Sequence, residues 1–152
     1  VVLKIRQLPF FGSGNSFVKK KLINRVQYNT SYEFGYGEDA DFGMQLRNIG
    51  ADIIYLPNPS ILHLKAPMGG FRTRFIHPWE NETNQPKPSP TIMLFRLLHH
   101  SGPQILGYKT LLFMKFYKNQ SIKNPIRYVR TMRKQWEVSQ KWANKLMKKN
   151  EF

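Results

Sequence analysis

Residues 37–50 read Gly-Glu-Asp-Ala-Asp-Phe-Gly-Met-Gln-Leu-Arg-Asn-Ile-Gly, and this stretch decides how the rest of the chain is interpreted. Phe42 and Leu46 recur at the spacing of one helix face, which predicts a helix that begins near Glu38. Gly50 follows the last apolar residue of the pattern, at the position where a glycine commonly ends a helix. Three carboxylates therefore fall in the first helical turn, directly after a loop rich in glycine and tyrosine.

These three carboxylates, Glu38, Asp39 and Asp41, have both a structural and a functional interpretation. Acidic side chains in a first turn interact favourably with the helix dipole and the free N–H groups, by about 0.3–1 kcal/mol each. A carboxylate at a helix end that borders a cleft can instead accept the proton of an attacking hydroxyl group. Asp39 and Asp41 also form Asp-x-Asp, which can chelate a divalent cation but is a weak signal by itself.

The segments on either side of this helix predict short strands packed against helices. An extended segment, a helix, a short buried strand and a further strand are expected, in that order, at residues 3–11, 16–26, 52–56 and 60–64. Residues 66–90 contain five prolines and two adjacent glycines, which predicts a long irregular loop. Together these elements favour an α/β arrangement.

The second half of the sequence predicts helices. Residues 91–98 have helical character, and Gly102 and Pro103 interrupt it. Apolar residues and lysines then alternate over residues 105–117, and a long amphipathic helix is expected over residues 125–149.

Composition excludes several classes of protein. The 152-residue chain is 41% hydrophobic and 14% aromatic, which is too apolar for a disordered tail. It has no cysteine, so disulfide frameworks and thiolate metal sites are excluded. No apolar run approaches the ~20 residues that span a bilayer, and no phosphate-binding loop, nucleophile elbow or dinucleotide-binding glycine signature is present.

The net charge of +15 favours anionic partners such as nucleic acid, anionic lipid or phosphorylated small molecules. The net positive charge is concentrated towards the C-terminus, because the basic residues between Asn119 and Phe152 are opposed by Glu137 and Glu151 alone. A solvated basic helix and a non-enzymatic module that binds nucleic acid or an anionic membrane both explain this tail. No helix-turn-helix or RNA-recognition signature supports nucleic-acid binding, which we therefore do not expect.

Four features occur in an order that resembles the acceptor-side, C-terminal half of family 2 glycosyltransferases with the GT-A fold. They are Glu-Asp-x-Asp in residues 37–42, a helix end with Arg and Gly in residues 46–51, a strand ending in proline at residues 53–57, and His63. Residues 14–18 are similar to the strand-to-helix step that precedes these features in the family. The resemblance covers about residues 9–75. It implies a partial GT-A mixed sheet with helices over residues 1–100, followed by a basic amphipathic helical extension over residues 101–152.

The resemblance also implies an activity: transfer of a sugar from a nucleotide-sugar donor to an acceptor hydroxyl, with inversion and with a divalent metal, Mg²⁺ or Mn²⁺. The implied roles are a general base at Asp39, acceptor contacts at Glu38 and Tyr36, a metal or diphosphate contact at His63, and donor diphosphate contacts at Arg72 and Arg74. His63 has the alternative of a hydrogen-bonded strand histidine, and the two arginines that of a solvated basic loop.

The family's donor-binding half, with its own Asp-x-Asp, has no counterpart in these residues. Asp39 and Asp41 follow a loop of glycine and tyrosine instead of an apolar strand, so they are not interpreted as that motif. The chain opens on Val1 without an initiator methionine, which favours a fragment of a longer enzyme that is inactive alone. We expect a cytoplasmic location, at the inner face of the membrane where cell-envelope polysaccharide is made.

A peripheral membrane contact is expected from residues 105–118. Leu111, Leu112, Phe113 and Phe116 would lie in the lipid interface, with the neighbouring lysines on anionic headgroups. Such a contact would suit a lipid-linked acceptor. The alternative is that these apolar residues pack on the core or bury a subunit contact.

Overall fold

The computed structural model describes residues 4–59, 62 and 75–149. Of these residues 58% are helical and 3% are in strands. The predicted mixed α/β sheet of the GT-A fold is therefore wrong for this chain. The described part contains one antiparallel two-stranded sheet, in which β1 (Arg6–Gln7) pairs with β2 (Ile54–Tyr55).

The prediction of a buried strand at residues 52–56 fails for a physical reason. A short apolar run is typical of a strand covered on both faces, but no third strand of the described chain lies beside this one. Ile54 and Leu56 are 51% and 55% exposed. Pro57 follows at once and has no N–H group with which to extend the ladder. The strand predicted at residues 60–64 lies outside the described residues, Leu62 excepted.

The chain divides into two compact units. The first comprises residues 1–29 and 38–76, and the second comprises residues 30–37 and 77–152. The boundary expected near residue 100 concerns the organisation of a longer enzyme and stays a prediction.

The described part of the first unit contains two helices, α1 (Lys20–Ile23) and α2 (Glu38–Asn48), and a 3₁₀ turn at Ser13–Asn15. The helix predicted over residues 16–26 is therefore reduced to a single turn. Lys19 stands at its N-cap without a side-chain hydrogen bond, so the turn lacks the capping that a longer helix needs. Its apolar residues are nevertheless packed: Val18 and Leu22 lie against a buried cluster formed by Phe11, Val26, Phe42 and Leu46.

The predicted end of α2 at Gly50 is confirmed. Gly50 has a φ of +80°, and its N–H group donates to the Arg47 carbonyl (2.9 Å). The N–H group of Ala51 donates to the Leu46 carbonyl (3.0 Å). This pair of bonds is a Schellman motif, which satisfies carbonyls that the helix leaves open and favours glycine at the left-handed position.

The second unit contains the three long helices, α3 (Pro90–His99), α4 (Gly102–Lys118) and α5 (Pro125–Lys149). Two 3₁₀ turns, Thr30–Tyr32 and Pro78–Asn81, belong to the same unit. Each long helix has proline in its first two positions, after Ser89, Ser101 or Asn124. The oxygen of Ser89 accepts from the Ile92 N–H group, and that of Asn124 from the Arg127 N–H group.

The core of the second unit is built chiefly where α3 packs on α5. Its buried cluster consists of Tyr32, Met93, Leu94, Trp136 and Ala143. The predicted helix over residues 125–149 is confirmed, and it begins at Pro125 as expected. No helix in the described ranges combines the length and the apolar character needed to cross a membrane.

Candidate functional site

The candidate site lies at the N-terminal end of α2, within the first unit. Glu38 and Asp39 occupy the first turn of the helix, and both side chains are half-buried. Their charges therefore face the positive end of the helix dipole while remaining accessible to solvent. This placement agrees with both interpretations of the carboxylates, so the surrounding contacts have to distinguish them.

The segment that carries Phe11 and Ser13 holds Asp39 in place. The Phe11 N–H group donates to the Asp39 carbonyl (3.1 Å), and the Ser13 N–H group donates to Asp39 Oδ1 (3.4 Å). Within the described ranges, Oδ2 of Asp39 has no hydrogen-bond partner. One carboxylate oxygen is thus fixed by the backbone, and the other is available to a ligand.

The close approach of this segment depends on Gly43. A Cβ atom at Gly43 would lie 2.9 Å from Phe11 N and 3.0 Å from Phe10 Cα, closer than real Cβ contacts. Only glycine therefore lets the helix and the segment meet without displacing backbone.

Tyr28 also belongs to the site, although no sequence pattern marked it. Its ring stacks on Phe42 with centroids 4.3 Å apart and an interplanar angle of 12°, while 45% of the residue stays exposed. Gln45 fixes the position of Tyr28, because its side chain makes two hydrogen bonds with the backbone of Gln27, the residue before Tyr28. Its Nε2 donates to the Gln27 carbonyl (2.9 Å), and its Oε1 accepts from the Gln27 N–H group (3.2 Å).

The charges of the two carboxylates act on the Tyr28 phenol. Burial raises the pKa of Tyr28 above its ordinary value, and the negative charges of Asp39 and Glu38 raise it further. A hydrogen bond with the Ser13 side chain acts in the opposite direction on that pKa. The phenol consequently stays protonated and can donate or accept a hydrogen bond.

Asp41, the second residue of the Asp-x-Asp pattern, does not join this group. It is buried, at 3% exposure, and accepts a hydrogen bond from Gln45 Nε2 at Oδ2 (2.8 Å). Across the described residues, no group of three or more histidine, cysteine, aspartate or glutamate side chains is placed to hold a metal ion. The divalent metal that the resemblance implies therefore stays a prediction for the full-length protein.

Tyr36, an expected acceptor contact, falls in the second unit. Its N–H group donates to Thr91 Oγ1 (3.2 Å), and its side chain is 73% exposed. Gly35 allows this contact, because a Cβ atom there would lie 2.6 Å from Thr91 Cγ2. The structure therefore fixes the backbone of Tyr36 and leaves its ring in solvent.

Three expected contacts, His63, Arg72 and Arg74, lie outside the described residues. Their assignments to a metal and to a donor diphosphate stay predictions.

The site therefore consists of Asp39, Glu38 and Tyr28, with Ser13 supporting two of them. It offers two carboxylates and a phenol to a ligand, which suits a compound with several hydroxyl groups. Sequence reasoning missed Tyr28 because its place depends on Gln45, seventeen residues along the chain, and not on a local motif. Comparisons with protein-family models, with curated proteins and with solved structures found no match to this chain.

Proposed function

We propose that this chain is the acceptor-side part of an inverting glycosyltransferase, with Asp39 as the general base. One observation supports this most: the Asp39 carboxylate is held at one oxygen by the Ser13 N–H group, and its second oxygen has no partner in the described chain. A base in an enzyme needs such fixed geometry together with an accessible lone pair.

The proposed reaction uses this oxygen to receive a proton. The acceptor's O–H bond breaks, its proton moves to Asp39, and the oxygen forms a bond to the anomeric carbon of the donor sugar. The bond from that carbon to the nucleoside diphosphate breaks, and the diphosphate leaves with the electron pair. Because the acceptor attacks from the side opposite the leaving group, the configuration at the anomeric carbon inverts.

Glu38 and Tyr28 are proposed to orient the acceptor before transfer. A sugar acceptor has several hydroxyl groups, which can donate to the Glu38 carboxylate while the Tyr28 hydroxyl donates or accepts. Tyr36 stays a proposed acceptor contact on the resemblance alone. Holding the attacking hydroxyl within hydrogen-bond distance of the base is itself a substantial part of catalysis.

The donor side is proposed to lie outside the described residues. A nucleotide-sugar donor, its diphosphate contacts Arg72 and Arg74, and a Mg²⁺ or Mn²⁺ ion with His63 rest on the resemblance. The metal would supply charge neutralisation at the leaving diphosphate, and its ligands would have to come from beyond the described chain. The chain alone is accordingly proposed to be inactive.

The proposed setting is the cytoplasmic face of a membrane, with a sugar or lipid-linked acceptor of cell-envelope polysaccharide synthesis. This follows from the class of nucleotide-sugar enzymes that the sequence resembles.

The test of the base is Asp39→Asn in the full-length protein. Asparagine still accepts from the Ser13 N–H group but cannot take a proton, so we expect transfer to fall by about 10²–10⁴-fold while helical content is unchanged. The matched control is Asp52→Asn, which changes an exposed carboxylate that accepts from Gln7 Nε2 (2.5 Å). Transfer retained by Asp39→Asn would reject the assignment of the base.

A second candidate is a non-enzymatic module that binds nucleic acid. The observation in its favour is the run of exposed cations on α5, which includes Arg127, Arg130, Lys134, Lys141 and Lys145. This candidate predicts binding to duplex DNA or RNA that weakens steeply as salt rises, with a slope set by the number of phosphates contacted. An absence of binding at low salt would dispose of it.

A further inference from the structure

The outward face of α4 carries large apolar side chains in solvent. Leu106, Leu111 and Met114 are 64%, 69% and 64% exposed, and no residue of this seventeen-residue helix is buried. Isolated exposed leucines are ordinary, but three on one face of a helix form a patch of the kind that marks an interaction site.

The opposite face of α4 already has its partners. Ile105, Tyr108, Leu112 and Phe113 pack against the core cluster of the second unit. The expectation that Leu112 and Phe113 lie in a lipid interface is therefore wrong. Leu112 and Phe113 pack on the core, whereas the apolar residues of the outward face are not among those packed against the core cluster.

The remaining residue of the expected interface, Phe116, is also engaged within the unit. Lys87 Nζ lies 4.5 Å from the centroid of its ring, in a cation–π contact. Of the four residues expected at the interface, Leu111 alone is strongly exposed, and its outward neighbours are Leu106 and Met114.

The charge beside this face is uniformly positive. α4 contains Lys109, Lys115 and Lys118 and no acidic residue. From Gly102 to Lys149, the one acidic residue is Glu137. A face that combines apolar side chains with exposed lysines is complementary to a surface with anionic groups on the outside and an apolar layer below them.

The first turns of α5, which is separated from α4 by six residues, continue this character. Ile126 is 73% exposed and Val129 is 37% exposed. With Arg130 and Arg133 they line an open groove on the helix.

We propose that the outward face of α4 docks on the surface of an anionic lipid bilayer. Leu106, Leu111 and Met114 enter the boundary between headgroups and acyl chains, to the depth of ~5–10 Å that interfacial helices reach. Lys115 and Lys118 lie against the lipid phosphates, where each cation strengthens binding.

Lipid fits this face better than nucleic acid does. Nucleic-acid surfaces contact phosphates with cations and stack exposed aromatic rings on bases. The large apolar residues most exposed on α4 are instead Leu106, Leu111 and Met114, whereas the aromatic Tyr117 is 39% exposed. The proposal does not depend on glycosyl transfer, because it rests on the exposure and charge of α4.

The first experiment measures co-sedimentation of this chain with phosphatidylcholine vesicles that contain phosphatidylglycerol. We expect binding at low ionic strength, weaker binding at high salt, and little binding to pure phosphatidylcholine. The triple variant Leu106→Ser, Leu111→Ser, Met114→Ser keeps every charge and should lose at least about tenfold in partition coefficient. The matched control, Ile5→Ser with Phe17→Ser, removes apolar residues that are 66% and 99% exposed in the first unit and should bind as the parent chain does.

The second experiment uses the absence of cysteine, which allows a single label to be attached at a chosen position. An environment-sensitive fluorophore on Leu111→Cys should shift to shorter wavelength with anionic vesicles and be quenched by lipids brominated in their acyl chains. The same fluorophore on Phe17→Cys should not change. This comparison separates insertion of α4 from electrostatic attraction of the whole chain.

Three results would overturn the proposal. They are no binding of the parent chain to anionic vesicles at low ionic strength, full binding by the triple serine variant, and an unchanged label at position 111 in the presence of vesicles. Concentration-dependent self-association that the triple variant abolishes, without vesicle binding, would assign the face to a second copy. Binding of duplex DNA together with an unchanged label would assign the basic surface to nucleic acid.

Discussion

The two units reach stability by different means. The second has three helices of ten, seventeen and twenty-five residues, and its core is made of large side chains from α3 and α5. Among its described residues, the first has one helix longer than a single turn, and its loops are joined to that helix by backbone hydrogen bonds such as Phe11 N–H to the Asp39 carbonyl. The second unit is thus stabilised by capped helices that pack through their apolar faces. The first unit is stabilised by loops whose backbone lies close to α2.

The candidate site lies in the unit with less regular structure. Its carboxylate is positioned by a turn at Ser13–Asn15, and its phenol by the pairing of Gln45 with Gln27. Functional side chains are often carried on loops that a rigid element holds in place, and α2 is that element here. The difference between the units predicts that side-chain truncation and methyl addition affect them unequally.

The largest effect is expected from Trp136→Ala in the second unit. Trp136 is 3% exposed and lies beside the rings of Tyr108 and Phe113, with centroids 6.1 and 6.3 Å away. Removing it leaves a cavity in the core, so the free energy of unfolding should fall by about 3–5 kcal/mol. Urea unfolding followed by circular dichroism measures this.

The control for this variant is Leu111→Ala on the exposed face of α4, which should change the free energy of unfolding by less than about 0.5 kcal/mol. Equal losses in the two variants would contradict the assignment of the core to α3 and α5.

The next largest effect is expected from Gly43→Ala in the first unit. The added methyl group would meet Phe11 N at 2.9 Å and Phe10 Cα at 3.0 Å, and both neighbours are backbone atoms that cannot rotate away. We expect a loss of about 1–3 kcal/mol in stability. Hydrogen exchange at the amides of Phe11 and Ser13 measures the local consequence, since both donate to Asp39. Unchanged protection at these amides would show that the segment does not depend on Gly43.

A smaller effect of opposite sign is expected from Gly107→Ala in the second unit. Gly107 lies inside α4, and a Cβ atom there meets nothing within 4 Å. Alanine should therefore raise the free energy of unfolding by about 0.5–1 kcal/mol, because it restricts the unfolded chain and favours the helix. Thermal unfolding of Gly43→Ala and Gly107→Ala side by side tests whether the same methyl group has opposite effects in the two units. A loss of stability in both would remove the distinction between them.

Sequence patterns predicted the elements that carry their own signals. The stop of α2 at Gly50 and the start of α5 follow from a left-handed glycine, a capping asparagine and apolar periodicity, all of which are local. The prediction of a buried strand was wrong because an apolar run such as residues 52–56 has the same sequence pattern whether neighbouring strands cover it or leave it exposed. Whether a run is covered depends on residues far away in sequence.

Only part of the candidate site could be predicted from the sequence, because only part of it carries a local signal. Asp39 and Glu38 stand out because acidic residues after a glycine-rich turn mark a helix start. Tyr28 does not, because its ring is positioned by stacking on Phe42, fourteen residues away. Aromatic residues near turns occur throughout this chain, so composition could not single it out.

The smallest expected effect is a pH dependence that His100 gives to the second unit. Arg96 Nη1 lies 2.7 Å from His100 Nε2, and because a guanidinium only donates, Nε2 must accept and the imidazole must be neutral. Burial lowers the pKa of His100 below its ordinary value of 6.5, and the positive charges of Arg96 and His99 lower it further. The ring of Phe95 also faces this imidazole, with centroids 5.4 Å apart.

The sign of the pH dependence follows from which state binds more protons. With the pKa of His100 lower in the folded chain than in the unfolded chain, the unfolded chain takes up more protons below about pH 6.5. The contribution of His100 to stability is therefore fully present above that pH and is lost as the pH falls towards the folded value. Urea unfolding at a series of pH values from about 7.5 to 5 should show this loss in the parent chain and a flatter profile in His100→Gln, which can still accept from Arg96. An equally steep profile in His100→Gln would assign the acid sensitivity to other groups.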